Sequence, residues 1–187
     1  MDKNLGQILQ DCGAVKFGDF TLASGKRSKY YVDVKMAVTK PKILKLISSH
    51  IVAEIVNRKI KADYIACMEL GAVPLGTVVS LDTEIPLVIV RKAQKDHGLK
   101  NRIIGEFEQK KFAILVEDVT TTGGSVINAA NALRNEGLMV EFVISVVDRN
   151  EGAEENLNKE GLTLISLVKA KTLLEDYEIA LKLNKTQ

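Results

Sequence analysis

The sequence contains few of the residues that mark disulfide-rich, membrane-spanning or zinc-binding proteins. Among 187 residues it has two cysteines, three prolines and no tryptophan. Cys12 and Cys67 lie far apart and outside any CxxC spacing, which argues against a disulfide framework and a zinc site. No run approaches the roughly 18 apolar residues of a membrane span, and the amino terminus lacks the basic and apolar regions of a signal peptide. These absences predict a reduced, cytoplasmic protein that does not enter a membrane.

An excess of charge of one sign is also lacking. The chain carries 26 Lys and Arg against 24 Asp and Glu, a formal net charge of +2. This balance provides no broad positive field, so we expect no nucleic-acid partner. An apolar content of 46% is enough for one domain with a sizeable core, and we predict a single domain over residues 1–187.

Five apolar segments lack the alternation of half-exposed strands, which is typical of parallel strands covered on both faces. They are Tyr64–Met68, Pro86–Val90, Phe112–Val119, Glu141–Asp148 and Leu162–Val168. Helical periodicity lies between them: isoleucines recur every four residues within Lys40–Lys59, and a second apolar stripe from Val126 to Leu133 would end at Gly137. The pattern predicts an α/β fold with a central, mainly parallel sheet flanked by helices.

Two terminal segments do not join this pattern. Residues 1–39 predict a small irregular hood, and residues 172–183, TLLEDYEIALKL, predict a terminal helix. We expect both to flank the sheet within the same domain.

The stretch VEDVTTTGGS, residues 116–125, leaves an apolar strand through two acids and enters a turn rich in threonine and glycine. It is expected at the carboxyl edge of the sheet, where open α/β sheets bind ligands. Hydroxyl groups and glycines before a helix amino terminus predict a cradle for one phosphate. The candidate residues are Glu117, Asp118, Val119, Thr120, Thr121, Thr122, Gly123, Gly124 and Ser125.

Glu117 and Asp118 would repel a phosphate unless another part of the ligand needs them. The vicinal hydroxyls of ribose donate well to paired carboxylates, so a 5-phosphoribosyl group fits. The sequence has neither the G-x-x-x-x-G-K-[ST] pattern of a nucleotide P-loop nor a G-x-G-x-x-G dinucleotide fingerprint. The alternative is that the two acids only cap the strand end and the next helix.

VEDVTTTGGS resembles the phosphoribosyl-diphosphate motif of the type I phosphoribosyltransferases. Three further stretches resemble the orotate phosphoribosyltransferases within that family, in the family's order: FTLASGKRSKYYVD, RKAQKDHG and VVDRNEGA, beginning at Phe20, Arg91 and Val146. The resemblance implies the type I phosphoribosyltransferase fold. It also implies transfer of the 5-phosphoribosyl group from phosphoribosyl diphosphate to orotate, which gives orotidine 5′-monophosphate and diphosphate in pyrimidine synthesis.

The resemblance assigns the basic stretch to the diphosphate leaving group, through Arg91, Lys92, Lys95 and His97. Lys95 matches the family's catalytic loop lysine, and His97 could donate a hydrogen bond or a proton. Residues 93–103 would form a lid that reaches the neighbouring subunit's site, which implies a homodimer. The alternative is an ordinary charged surface loop, which we expect for Lys100 and Arg102.

The residues expected to bind orotate are those for which alternative structural roles remain most open. Arg149 matches the family residue that holds orotate, although a salt-bridged loop arginine is a real competitor. The other candidates are Thr121, Tyr30, Tyr31 and Lys26; the two tyrosines could instead be ordinary hood packing. Two positions depart from the lysines of bacterial members, Ala23 and Leu70. Lys26 could compensate for the first, and the backbone of the turn 69–71 could still bind diphosphate.

The metal expected is Mg²⁺, carried on the substrate and placed near Glu117 and Asp118 mainly through water, because Mg²⁺ dehydrates reluctantly. Two other functions remain open from the sequence. One keeps the fold but transfers the sugar to a purine, and Arg149 is the feature against it. The other is a regulator that binds phosphoribosyl diphosphate without turnover, and the basic stretch argues against that.

Overall fold

The amino-terminal segment forms two short helices and a hairpin whose strands do not pair with the main sheet. The computed structural model describes residues 4–21, 25, 27–92, 102–174 and 177. Helix α1 (Leu5–Asp11) is followed by strands β1 (Val15–Thr21) and β2 (Arg27–Val32), which pair antiparallel, and by the short helix α2 (Lys35–Val38). The sequence predicted a small irregular hood here, whereas the structure has short helices and a regular two-stranded hairpin. The apolar residues of this segment follow no clear period, so its strands were not recognised.

The main sheet has six strands in the order β5-β4-β3-β6-β7-β8. Their bounds are β3 (Tyr64–Met68), β4 (Leu87–Val90), β5 (Ile103–Ile104), β6 (Phe112–Thr120), β7 (Met139–Asp148) and β8 (Thr163–Lys169). Strand β5 is antiparallel to β4, and the other neighbours are parallel. All five strands expected from the apolar runs are therefore present, and only the two-residue edge strand was not anticipated.

Four longer connections form helices, α3 (Pro41–Asn57), α4 (Val73–Thr83), α5 (Gly124–Asn135) and α6 (Ala153–Lys159). The hydrophobic core has two parts, one including buried residues of α3 and α4 and the other including those of α5 and α6. Burial of an isoleucine such as Ile47 or Ile51 contributes about 1.5–3 kcal/mol, so the stripe on α3 fixes that helix firmly. The result is the α/β fold with flanking helices that the sequence predicted.

Helix α4 was not expected from the sequence. Its residues, VPLGTVVSLDT, are apolar around most of the helix, so no clear stripe marks a helical period. At the carboxyl end of the chain, residues 170–174 and Tyr177 are helical, in line with the terminal helix predicted over 172–183 as far as the described residues reach. Within the described residues, no helix is long and apolar enough to cross a membrane.

Candidate active site

The carboxyl ends of β6 and β7 bring two loops together at one edge of the sheet. The strands are parallel and in register, so that Thr120 lies opposite Asp148. The chain leaves β6 into the threonine- and glycine-rich turn and leaves β7 into Arg149. The backbone N–H of Arg149 donates to the carbonyl of Thr120 at 2.9 Å, which fixes the two loops relative to each other.

The turn between β6 and α5 offers exposed hydroxyls beside a helix amino terminus. Gly123 occupies the N-cap with φ of 83°, and a Cβ there would lie 3.2 Å from the Leu157 side chain, so glycine is needed for both reasons. Thr122 and Ser125 are exposed, and Asn156 Nδ2 donates to the Thr122 carbonyl at 2.9 Å. Since glycine has no side chain to cap the first turn of α5, its N–H groups remain available to an anion.

Thr120 is buried at the start of this turn. Its hydroxyl donates to Asp148 Oδ1 at 3.2 Å, and both residues are buried. This hydroxyl therefore points inward and satisfies a buried carboxylate, and the place of Thr120 among the donor-binding residues stays a prediction. Asp148 also accepts from Asn150, through the backbone N–H at 3.1 Å and Nδ2 at 3.2 Å.

Glu117 and Asp118 differ in environment although they are neighbours. Glu117 is only 7% exposed, and its burial raises its pKa well above the ordinary value; a hydrogen bond and repulsion with Asp118 add to that rise. Asp118 is half-buried, and its Oδ1 accepts from the Val119 N–H at 2.9 Å. A neutral acid and a carboxylate can together accept and donate hydrogen bonds to sugar hydroxyls.

Asp118 also contacts the turn that follows β3. A Cβ on Gly71 would lie 2.1 Å from Asp118 Oδ2, so any larger residue there requires the carboxylate or the turn to move. The turn is tied to the end of β4, since Glu69 N–H donates to the Val90 carbonyl at 3.1 Å and Lys92 N–H donates to Glu69 Oε1 at 2.7 Å. These contacts place Arg91 and Lys92 near the turn expected to bind diphosphate.

The described ends of the predicted lid lie together. Arg91 N–H donates to the Arg102 carbonyl at 2.9 Å, and Arg102 Nε donates back to the Arg91 carbonyl at 3.0 Å. Arg102 Nη1 also donates to Asn128 Oδ1 on α5 at 3.1 Å, which ties this end of the predicted lid to that helix. Lys95 and His97 lie outside the described residues.

A cavity of about 550 Å³ lies beside Arg149. It is lined by Arg27, Ser28, Lys29, Tyr30, Thr122, Arg149, Glu151 and Leu174. The guanidinium of Arg149 sits 5.5 Å from the Tyr30 ring centroid, and the Tyr30 hydroxyl donates to the Arg149 carbonyl at 2.8 Å. Arg149 Nη2 pairs with Glu151 Oε1 at 2.8 Å, whereas its Nε is buried without a partner. A forked cation in the cavity wall, with one N–H that has no partner in the structure, suits a planar, anionic ligand.

Of the other residues expected on the orotate side, Tyr31 and Thr121 are absent from this lining. Tyr31 packs its ring against Phe20 at 5.8 Å and is 42% exposed. Neighbouring residues of a strand point to opposite faces, so Tyr30 lines the cavity while Tyr31 lies on the other face of the hairpin, and their contacts with orotate stay predictions. Thr122 lines the cavity where Thr121 was expected, and Lys26 lies outside the described residues.

Within the described residues, no group of three or more His, Cys, Asp and Glu side chains could hold a metal ion. The acids at this edge, Glu117 and Asp118, provide only oxygen donors. Such a partial oxygen set fits Mg²⁺ when the remaining ligands come from a phosphorylated substrate and water.

Sequence reasoning missed four residues that shape this edge: Lys35, Asp148, Glu151 and Asn156. Asp148 carried a usable signal, because an acid that ends an apolar run lies at the ligand-binding edge. Glu151 lies two residues after Arg149, and their pairing was not considered. Lys35 and Asn156 belong to other segments, and only the folded chain brings Lys35 beside Gly71 and Asn156 to Thr122.

Comparison with known proteins agrees with this geometry. The family model of the phosphoribosyl transferase domain matches residues 35–178. The orotate phosphoribosyltransferase of Methanosarcina mazei is 50% identical over 167 residues, covering 89% of this chain and 88% of the relative. The crystal structure of orotate phosphoribosyltransferase from Aeropyrum pernix has a TM-score of 0.83 at 30% identity, covering 93% of this chain and 98% of that one.

A further solved structure is informative about ligands. It is the orotate phosphoribosyltransferase of Mycobacterium tuberculosis in complex with 5-phospho-alpha-D-ribosyl 1-diphosphate, with a TM-score of 0.73 and 28% identity, covering 90% of this chain and 96% of that one. Because the family model and the relatives cover most of the chain, it belongs to the orotate phosphoribosyltransferases, a family within the type I phosphoribosyltransferases.

Proposed function

We propose that this chain transfers the 5-phosphoribosyl group of phosphoribosyl diphosphate to orotate, giving orotidine 5′-monophosphate and diphosphate. The observation that carries the proposal is the juxtaposition of an open phosphate loop with a cavity whose Arg149 guanidinium keeps a buried, unpartnered Nε. The sugar donor of this reaction is the ligand named for the M. tuberculosis relative.

The donor is held by the turn after β6. Its 5′-phosphate accepts from the first-turn N–H groups of α5 and from the hydroxyls of Thr121, Thr122 and Ser125. Its ribose hydroxyls donate to Asp118 and exchange hydrogen bonds with Glu117, whose protonated form is favoured by burial. The phosphate charge is thus kept apart from the two acids, which face the sugar instead.

The acceptor lies in the cavity beside Arg149. Orotate is planar, and its carboxylate and ring carbonyls match the forked donors of a guanidinium. The Tyr30 ring lies under the guanidinium and limits its rotation. Because Arg149 is tied through its own backbone to Thr120, the base is positioned relative to the phosphate loop.

In the reaction, a ring nitrogen of orotate forms a bond to C1 of the sugar as the bond from C1 to the diphosphate oxygen breaks. The departing diphosphate keeps the electron pair of the broken bond and takes up the proton that the ring nitrogen loses, while C1 passes through an oxocarbenium-like state. Arg91, Lys92 and Lys95 stabilise the growing negative charge, and His97 donates a hydrogen bond or proton to the leaving oxygen. Residues 93–103 act as the lid that excludes water, shared between the subunits of a homodimer.

Glu117 and Asp118 would hold, mainly through water, a Mg²⁺ ion carried in on the donor, and the ion would supply positive charge that neutralises the diphosphate. The described cysteines, Cys12 and Cys67, are both free thiols, which supports a place in the reducing cytoplasm.

The test is consumption of orotate, followed by its ultraviolet absorbance, with purified protein, phosphoribosyl diphosphate and Mg²⁺. Uracil, hypoxanthine and adenine serve as rival acceptors. Loss of orotate that requires both donor and Mg²⁺ is the expected result. Turnover of a purine would establish the alternative acceptor, and tight donor binding without turnover of any base would indicate the regulatory function.

A further inference from the structure

Lys35 is a cation near the site that neither the phosphate loop nor the base cavity includes. It is the first residue of α2, directly after the hairpin, and its side chain is 60% exposed. It lines a second cavity, of about 320 Å³, together with Val38, Thr39, Leu70, Gly71, Val73 and Pro74. Lys35 is the one charged side chain among the described residues of that lining. Its aliphatic stem therefore lies beside the turn at Gly71, and its ammonium group, held by Asp33, is close enough to Asp118 for that carboxylate to raise the Lys35 pKa.

Gly71 connects this second cavity to the reaction site. The same residue that lines the cavity with Lys35 lies against the carboxylate of Asp118, where an added Cβ would come within 2.1 Å of Oδ2. The turn of residues 69–71 contributes an acid and no cation. An anion bound along the backbone of this turn would thus need a side-chain cation from outside the turn, and Lys35 lines the cavity that the turn borders.

The present partner of Lys35 leaves it available. Its Nζ lies 3.1 Å from Asp33 Oδ1, and the hydrogen bond with Asp33 is the main cause that raises the Lys35 pKa, with the charge of Asp118 adding to it. Ion pairs at this exposure contribute little to stability because water screens them. A diphosphate, with several negative charges and six or more acceptor oxygens, competes well against one carboxylate for this ammonium.

We propose that Lys35 binds the diphosphate group of the sugar donor beside the turn at Gly71. The inference rests on the proposed function, because it assumes a diphosphate at this turn. A flexible lysine acts as a point charge on the bound group and holds it before and during departure. Its loss weakens donor and product binding more than it slows the chemical step.

The test is calorimetric titration of diphosphate and of phosphoribosyl diphosphate, each with Mg²⁺, into wild type and Lys35→Ala. We expect the Kd of both ligands to rise about tenfold, the loss of one charge-assisted contact. In the assay, donor KM should rise similarly, kcat should change less than about threefold and orotate KM should stay constant. Lys35→Arg should restore most of the affinity.

Lys45 provides a matched control. Its side chain is 64% exposed and it also pairs with an aspartate, Asp82, but it lies on α3 outside the cavity beside Lys35. Lys45→Ala should leave diphosphate affinity unchanged. Lys35→Gln provides a second neutral variant, and thermal midpoints of all variants separate a folding defect from lost binding.

The two proposals fail in different ways. If wild type consumes orotate but Lys35→Ala and Lys35→Gln bind diphosphate as tightly as wild type does, the role of Lys35 is overturned and the function stands. An equal loss in Lys45→Ala would also overturn it, since a general loss of positive charge would then explain the effect. If wild type binds diphosphate through Lys35 but consumes no orotate, the proposed function fails alone.

Discussion

The Thr120 hydroxyl and the Asp148 carboxylate form a buried hydrogen bond of 3.2 Å between the ends of β6 and β7. One residue begins the phosphate loop and the other precedes Arg149, so this contact joins the two halves of the site. Asp148 also accepts two hydrogen bonds from Asn150, and the carboxylate therefore organises both loops.

Asp148→Asn should disturb both loops at once. The new amide would place an NH₂ group against a donor of Asn150, either its backbone N–H or its Nδ2, and a buried unmatched donor costs about 1–3 kcal/mol. We expect that loss in the free energy of unfolding by urea, together with raised KM for both substrates.

Two threonine substitutions separate this contact from a general strand effect. Thr120→Val removes only the hydroxyl and should cost about 1 kcal/mol. Thr163→Val, at an exposed position of β8, should stay within about 0.5 kcal/mol of wild type. Equal stability of Thr120→Val and Thr163→Val would show that the hydrogen bond contributes nothing.

Arg149→Lys keeps the positive charge but loses the forked donors, including the buried Nε. Orotate KM should rise about 10- to 100-fold, because a bidentate charged contact is replaced by a single point charge. Donor affinity, measured without orotate, should not change. Arg58→Lys is the matched control, since Arg58 forms an exposed pair with Glu54 on α3. An orotate KM that stayed at the wild-type value would rule out a recognition role for the guanidinium.

Gly71→Ala should weaken donor binding without unfolding the chain. Its Cβ would come within 2.1 Å of Asp118 Oδ2 and 2.8 Å of Asp118 Cγ, so the turn or the carboxylate must move. We expect donor KM to rise about tenfold or more, a loss of at least about 1.4 kcal/mol. Thermal melting should show that the fold persists, and wild-type donor binding in the variant would mean that Asp118 can turn away at no cost.

The stability of the free protein should depend on pH through Glu117. Its folded pKa is raised above the ordinary value of 4.5, so the folded chain holds this proton more tightly than the unfolded chain. The stabilisation is complete below the ordinary pKa and is lost as the pH rises through the folded pKa. Glu117→Gln cannot ionise and avoids this loss.

The thermal midpoint of Glu117→Gln, relative to wild type, should therefore increase from pH 5 to pH 8, by about 2–4 °C for each kcal/mol recovered. Melting without donor or Mg²⁺ measures this difference, and activity should fall because the amide cannot replace the acid toward ribose. A difference that was the same at both pH values would contradict the buried, proton-retaining state of Glu117.

Lys95→Ala should lower kcat by about 100-fold or more while donor and orotate binding change much less, since the lysine acts on charge that develops in the transition state. Lys100→Ala, from the same basic stretch, is the control and should retain activity. A Lys95→Ala defect confined to KM would argue against the transition-state role.

The sequence predicted the sheet because its strands are continuous apolar runs, whose identity depends on local composition alone. Helix α4 was not predicted because apolar residues lie around most of the helix, so no helical period distinguished it from a loop. The phosphate loop was predictable because its glycines, hydroxyls and acids are contiguous. The orientation of its side chains was not predictable, because the Thr120 hydroxyl points inward to Asp148, which is 28 residues away in sequence.

The base side was less predictable for a similar reason. Arg149 stood out beside a strand end, but its partner Tyr30 comes from the hairpin, 119 residues earlier. Lys35 and Gly71 likewise meet only in the folded chain. Contacts between distant segments are decided by packing, and residue spacing carries no signal for them.

The hairpin of β1 and β2 shares no strand with the six-stranded sheet, yet it provides Arg27, Ser28, Lys29 and Tyr30 to the cavity beside Arg149. Among the described residues, no strand pairing joins the hairpin to β6 or β7, so the register of these strands at the phosphate loop does not depend on the hairpin. Exchange of this hairpin would alter which base is accepted while the sugar donor's site keeps its geometry. Substitutions in the hairpin can thus change the acceptor specificity of the enzyme while the site for the phosphoribosyl donor stays the same.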